Sequence, residues 1–177
     1  MAVQTRRVRY TLKAIRDSFL ELLAERPLGK VTVSAVCARA DVARGTFYLH
    51  YSGLGELLDE IEEDLIAEFE KRLRVKGEAA SRTEHWEAVL SALREQQATW
   101  AIVLAAPESK VIAKCLALTR AYTERDCQQN HSDLAPDLVG YLQTFLEQGS
   151  AHVVTRWLQD GCSTKIKPLA GLLAQPF

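Results

Sequence analysis

Apolar side chains recur at steps of three and four along nearly the whole chain, and that spacing confines it to helices. Leu12, Ile15, Phe19, Leu22 and Leu23 form the first stripe; Leu57, Leu58, Ile61, Leu65, Phe69 and Leu73 form a longer one. A helix returns to the same face about every 3.6 residues, whereas a strand reverses face at each residue. No segment alternates with period two between turn dipeptides, and the β-branched residues are scattered among helix formers. The fold class is therefore all-α, with about nine helices: a three-helix N-terminal head followed by a helical body of about six.

Punctuation divides these helices. Pro27 and Gly29 close a first helix that starts near Leu12, and Thr32 stands where an N-cap belongs, opening a second that runs to Ala40. Asp41-Val42-Ala43 makes a three-residue turn before a short helix from Arg44 to His50. Ser52-Gly53 marks the next break, which puts a head at residues 1–54 and a body at 55–177. Past Gly77 a polar link leads to one helix holding Trp86 through Trp100, and Pro107 interrupts it. A further helix spans Ser109 to Asp126, Gln128 to Asp133 reads as a loop, and Pro136 opens a long helix that ends at Asp160-Gly161.

Charge is divided in the same way. Residues 1–51 carry nine Lys or Arg side chains against four carboxylates, a balance of +5 in a chain of net charge −1. A basic head on an acidic body suits contact with an anionic polymer at one end and other work at the other. The four cysteines form no CxxC pair and have no histidine at metal-ligand spacing, so they read as reduced thiols, with no disulfide and no metal expected. No apolar run is long enough for a signal peptide or a membrane span, and the expected location is the cytoplasm. No Ser/His/Asp set, phosphate loop or paired carboxylates is placed for catalysis, so neither enzyme activity nor a cofactor is expected.

Two short helices across a three-residue turn are the arrangement that lays a second helix in the major groove of DNA. Val36, Ala40, Val42 and Phe47 supply the small shared core, and Cys37 and Ala40 are small enough for a close crossing. Arg44, Gly45, Thr46, Tyr48, Leu49 and His50 are left to face outward. Arg44 can pair with guanine or phosphate, and Thr46 and Tyr48 can donate to phosphate or touch a thymine methyl. His50 can donate to phosphate, and Gly45 permits close backbone approach. Arg6, Arg7 and Arg9 form a flexible basic arm, Thr32 and Lys30 stand beside the second helix, and Tyr51 is divided between packing and phosphate contact.

The run from Thr32 to Tyr51, and Arg44-Gly45-Thr46-Phe47-Tyr48 followed by His50 and an aromatic above all, resembles the DNA-binding signature of the TetR family of bacterial regulators. The resemblance covers roughly residues 10–66. It implies a homodimer paired through its eighth and ninth helices, a double-stranded operator as partner, and a small-molecule effector site in the body. Three departures stand out. Asp41 occupies a turn position where relatives commonly have Gly. Ala43 replaces the usual hydroxyl cap of the recognition helix, and Gly53-Leu54-Gly55 stands where a phosphate-binding Lys is usual. Lys30 and the Arg arm would then carry more of the phosphate binding.

In the body, Phe69, His85, Trp86, Trp100 and Tyr122 are the candidates for an effector pocket, though at helical spacing they serve equally as plain core. Leu142, Phe145, Leu146, Val153 and Trp157 line one face of the long helix, and Gly149 permits close approach; with Leu169 and Leu172 of the last helix they are the candidate dimer seam. The expected function is a repressor that leaves a palindromic operator when ligand binds. An activator would use the same residues, and a helical adaptor with weak DNA binding is the competing reading.

Overall fold

The computed structural model describes residues 6–75, 81–130 and 134–175, and all regular structure within them is helical. The helices are α1 (Arg6–Glu25), α2 (Val33–Ala40), α3 (Arg44–Tyr48), α4 (Leu54–Val75), α5 (Arg82–Arg94), α6 (Gln97–Ala105), α7 (Val111–Asn130), α8 (Pro136–Gln159) and α9 (Ile166–Leu173), with a 3₁₀ turn at Leu28–Lys30. The polar link beyond Gly77 and the end of the expected 128–133 loop fall outside the described residues. The chain divides into two compact units: residues 6–64 with 102–109, and residues 65–101 with 110–175.

In the first unit α1 packs on α2 and α2 on α3. The stripe read from the sequence supplies the core: Ile15 and Phe19 of α1 are fully buried, as are Val36, Phe47, Leu57 and Ile61. Burying a side chain of Phe47's size contributes roughly 1.5–3 kcal/mol, enough to hold a five-residue helix that could not persist alone. In the second unit α5 packs on α9 and on α8, and α7 lies along α8. Leu90, Val111 and Leu158 are fully buried there.

Helix α3 stops at Tyr48, two residues before the expected His50, and α7 starts at Val111, two after the expected Ser109; three further helix limits differ from the sequence reading for lack of an apolar signal. Helix α1 begins at Arg6, so Arg6, Arg7 and Arg9 lie on a helix and not on a flexible arm. Its first turns are solvent-facing and leave no stripe to read, and arginine is a good helix former. The segment expected as one helix from Trp86 to Trp100 is split at Glu95-Gln96, where no Pro or Gly marks the break. There Glu95 pairs with Arg72, and the Gln97 amide donates to the Leu158 carbonyl at 2.6 Å. Helix α7 continues to Asn130, past the expected end at Asp126.

Candidate nucleic-acid interface

The turn between α2 and α3 is built as its residues require. Thr32, in extended backbone, caps α2 by accepting the Ala35 N–H on Oγ1 at 3.1 Å. Helix α2 ends at Asp41, which takes the left-handed conformation (φ 52°, ψ 47°), and the Val42 N–H donates to the Cys37 carbonyl at 3.0 Å. Asp adopts that conformation more readily than most residues, which is how the turn closes without glycine. Ala43 then opens α3 from extended backbone with no side-chain cap, as its methyl group dictates.

Helix α3 turns Phe47 fully inward and leaves its other faces open. Arg44, Gly45 and His50 are exposed, Tyr48 is half exposed, and Thr46 is partly covered. The Arg44 guanidinium lies 6.0 Å from the centre of the Tyr48 ring, so the pair presents a cation and a phenol together. A Cβ added at Gly45 would meet nothing within 4 Å, so that stretch of α3 stands open to close approach.

The head's cations fall into two sets. Lys13, Arg16, Arg26 and Arg39 form ion pairs with Asp17, Asp64, Glu25 and Glu25 respectively. The Arg39 guanidinium beside Glu25 holds that carboxyl below its usual range, Arg26 adding to the effect. Arg6, Arg7, Arg9, Lys30 and Arg44 make no ion pair among the described residues and are exposed. All five are residues that the sequence marked for DNA.

Two groups beside α3 do structural work: Tyr51 takes the packing half of its two expected roles, and Glu56 was not read from the sequence at all. Tyr51 is buried, packs its ring 5.5 Å from that of Phe47, and donates its hydroxyl to Glu60 at 2.9 Å. Burial first, then the bond to Glu60, pushes its phenol well above the ordinary range. In the first turn of α4, Glu56 accepts both the Ser52 N–H at 2.6 Å and the Ser52 hydroxyl at 2.7 Å, and the backbone bond leads in lowering its pKa. The signal was Ser-x-x-x-Glu, one residue longer than the capping-box spacing. A held carboxylate thus sits beside the place where relatives usually carry a lysine.

In the second unit the five aromatic candidates form two groups. Phe69 and Trp100 are both buried and meet edge to face at 6.1 Å. His85 stacks flat on Tyr122, with centroids 3.5 Å apart and planes 4° from parallel, and Trp86 lies edge-on at 5.8 Å. Burial pushes the His85 imidazole down to about 4, so it is neutral at pH 7. Of the seam candidates, Trp157 and Leu169 are buried within the unit, the indole N–H of Trp157 donating to the Thr164 carbonyl at 2.9 Å. Leu142, Leu146 and Val153 are partly covered, whereas Phe145, Gly149 and Leu172 are exposed. Leu138 and Tyr141, which the sequence reading passed over, share that exposure: with Phe145 and Gly149 they follow steps of three and four along α8.

Residues 15–61 match the model of a family described as bacterial regulatory proteins, tetR family. The "Uncharacterized HTH-type transcriptional regulator YxbF" of Bacillus subtilis (strain 168) is 32% identical over 102 residues, covering 57% of this chain and 24% of that protein. The chain spans about a quarter of the length of the curated relatives it matches. A TetR transcriptional regulator from Streptococcus agalactiae 2603V superposes with a TM-score of 0.71 at 24% identity, over 96% of this chain and 94% of that one. The transcriptional regulator FadR from Bacillus subtilis, solved in complex with stearoyl-CoA, gives a TM-score of 0.61 at 21% identity, over 92% and 95% of the two chains. These likenesses carry the fold: a helix-turn-helix head followed by a helical region.

Proposed function

We propose that this chain, whose residues 15–61 match the tetR family of bacterial regulatory proteins, is a homodimeric transcription repressor of that family that binds a palindromic operator. The carrying observation is α3 itself: Phe47 is fully buried while Arg44, Tyr48 and His50 face out, on a unit whose unpaired cations include Arg6, Arg7 and Lys30. In this reading Arg44 contacts guanine or phosphate, and Tyr48, Thr46 and His50 donate to phosphate oxygens. Gly45 lets the groove wall come close. Thr32 caps α2 through its oxygen lone pair and keeps its hydroxyl hydrogen for a phosphate. Tyr51 serves by fixing α3 rather than by touching DNA.

Residues 1–54 act as the DNA-binding domain and 55–177 as the dimerisation and ligand domain. Pairing uses the exposed apolar side chains of α8 and α9, Tyr141, Phe145 and Leu172 foremost, because one head alone makes too few contacts for useful specificity. A small-molecule effector binds near the His85–Tyr122 stack; that a regulator of this fold has been solved with stearoyl-CoA supports such a ligand. The ligand releases DNA only to the extent that it binds the DNA-incompetent arrangement better. The protein acts in the cytoplasm and has no catalytic role.

Titration of the purified protein against fragments of its own upstream region, at two salt concentrations, tests this reading. Selection of one palindromic fragment, with affinity that falls steeply as salt rises, is the expected result. Equal binding to all fragments, or none, would refute it.

A further inference from the structure

Leu49 is 80% exposed, more than any other large apolar side chain among the described residues. It sits at the end of α3 in ordinary helical backbone (φ −71°, ψ −18°), a conformation that makes no demand for leucine. Its N–H donates to the Gly45 carbonyl one turn back at 3.1 Å. Its isobutyl group therefore contributes little to the fold. A helical side chain leans over the turn that precedes it, so Leu49 leans over the open surface at Gly45.

Resting on the DNA-binding reading above, we propose that Leu49 is a specificity-determining residue that reads a thymine by its C5 methyl group. The chemistry leaves one partner. Leucine has no donor for a phosphate oxygen, so it cannot position the head as Arg44, Tyr48 or His50 can. The thymine methyl is the apolar feature of the major-groove floor, and cytosine lacks it. Gly45 lowers the helix surface beneath Leu49, and the exposed Arg44 on the same short helix draws the polyanion against it. Phe47, two residues earlier, is fully buried, so the apolar character of Leu49 is not a continuation of the core stripe.

The test uses the full chain and a duplex that the wild-type protein selects from a randomised library. Each thymine of that duplex is replaced in turn by deoxyuridine, which removes only the methyl group. Wild type is expected to lose about fourfold in affinity at one thymine in each half-site, the equivalent of one buried methyl group. Leu49→Ala is expected to bind the unsubstituted duplex more weakly and to treat thymine and uracil alike at that position. Arg44→Ala is expected to bind more weakly still while keeping the preference. The proposal is overturned if no single uracil weakens wild type, or if Leu49→Ala retains the preference. Failure of wild type to select any duplex would instead bring down the DNA-binding reading, and this one with it.

Discussion

Helices α2 and α3 offer a matched experiment in capping. Thr32 and Ala43 both hold the extended backbone of an N-cap residue (φ −122°, ψ 149° and φ −69°, ψ 144°), yet only Thr32 carries an oxygen to accept a first-turn N–H. Replacing a hydroxyl cap by alanine costs about 1 kcal/mol, within a range of roughly 0.5–2. Ala43 is exposed, so a serine there fits without displacing a neighbour. Ala43→Ser should therefore stabilise the head by about 1 kcal/mol, and Thr32→Ala should destabilise it by about the same. Combined, the two should nearly cancel, since the caps share no partner. For a chain of this length that amounts to about 3 °C in the unfolding midpoint, up and down. The three tryptophans all lie in the second unit, so circular dichroism together with amide exchange in α2 and α3 is the assay that sees the head. Exchange in α3 should slow about fivefold in Ala43→Ser. Ala43→Val, with the same backbone but no acceptor, should give no gain. An Ala43→Ser protein no more stable than wild type, or a valine variant equal to it, would refute the assignment of Ala43 as an uncapped N-cap.

Other expectations follow from single groups. Because the folded state raises the Tyr51 pKa, its contribution to stability is full below the ordinary phenol value of about 10 and is lost as pH rises beyond it. Denaturation midpoints of wild type and Tyr51→Phe should therefore converge above pH 10, and a constant gap would contradict a phenol raised by burial and the bond to Glu60. His85 is the reverse case: a folded pKa of about 4 means that its contribution is present above about 6.5 and is lost as pH falls toward 4. Its proton resonances should not titrate near pH 6.5, and His85→Phe should flatten the acid limb of the stability curve. Tyr141→Glu places a charge on the exposed stripe of α8 and should shift the sedimenting species from twice the chain mass to once; an unchanged mass would move the pairing surface elsewhere.

What the sequence disclosed follows the strength of each physical signal. Phe47, Ile15 and Phe19 were legible because a fully buried face imposes a period, and Thr32 and Asp41 because caps and left-handed turns select few residue types. The start of α1 was not legible, because Arg6, Arg7 and Arg9 face solvent and solvent imposes no period. The α5–α6 break falls where Glu95 meets Arg72 and Gln97 meets Leu158, partners far away in the chain that no local spacing encodes. The hydroxyl of Tyr51 was ambiguous for a related reason: its partner Glu60 lies nine residues on, across a helix break. On α8 an apolar stripe was plain, but which of two neighbouring stripes stays open depends on tertiary packing, which buries Trp157 and leaves Tyr141 exposed.

The central claim is that α3 reads DNA through its outward side chains. The most direct measurement is the ratio of specific to non-specific affinity, at one fixed salt concentration, for wild type, Arg44→Ala and Tyr48→Ala. Wild type should favour its selected duplex by at least about a thousandfold. Each variant should lose part of that ratio; Arg44→Ala should keep its thermal midpoint, since Arg44 is exposed, whereas Tyr48→Ala also gives up the edge-to-face contact with Phe47 and is compared at a temperature where it is fully folded. If the ratio is unchanged in both variants, or if wild type shows no preference for any duplex, α3 is not the recognition helix.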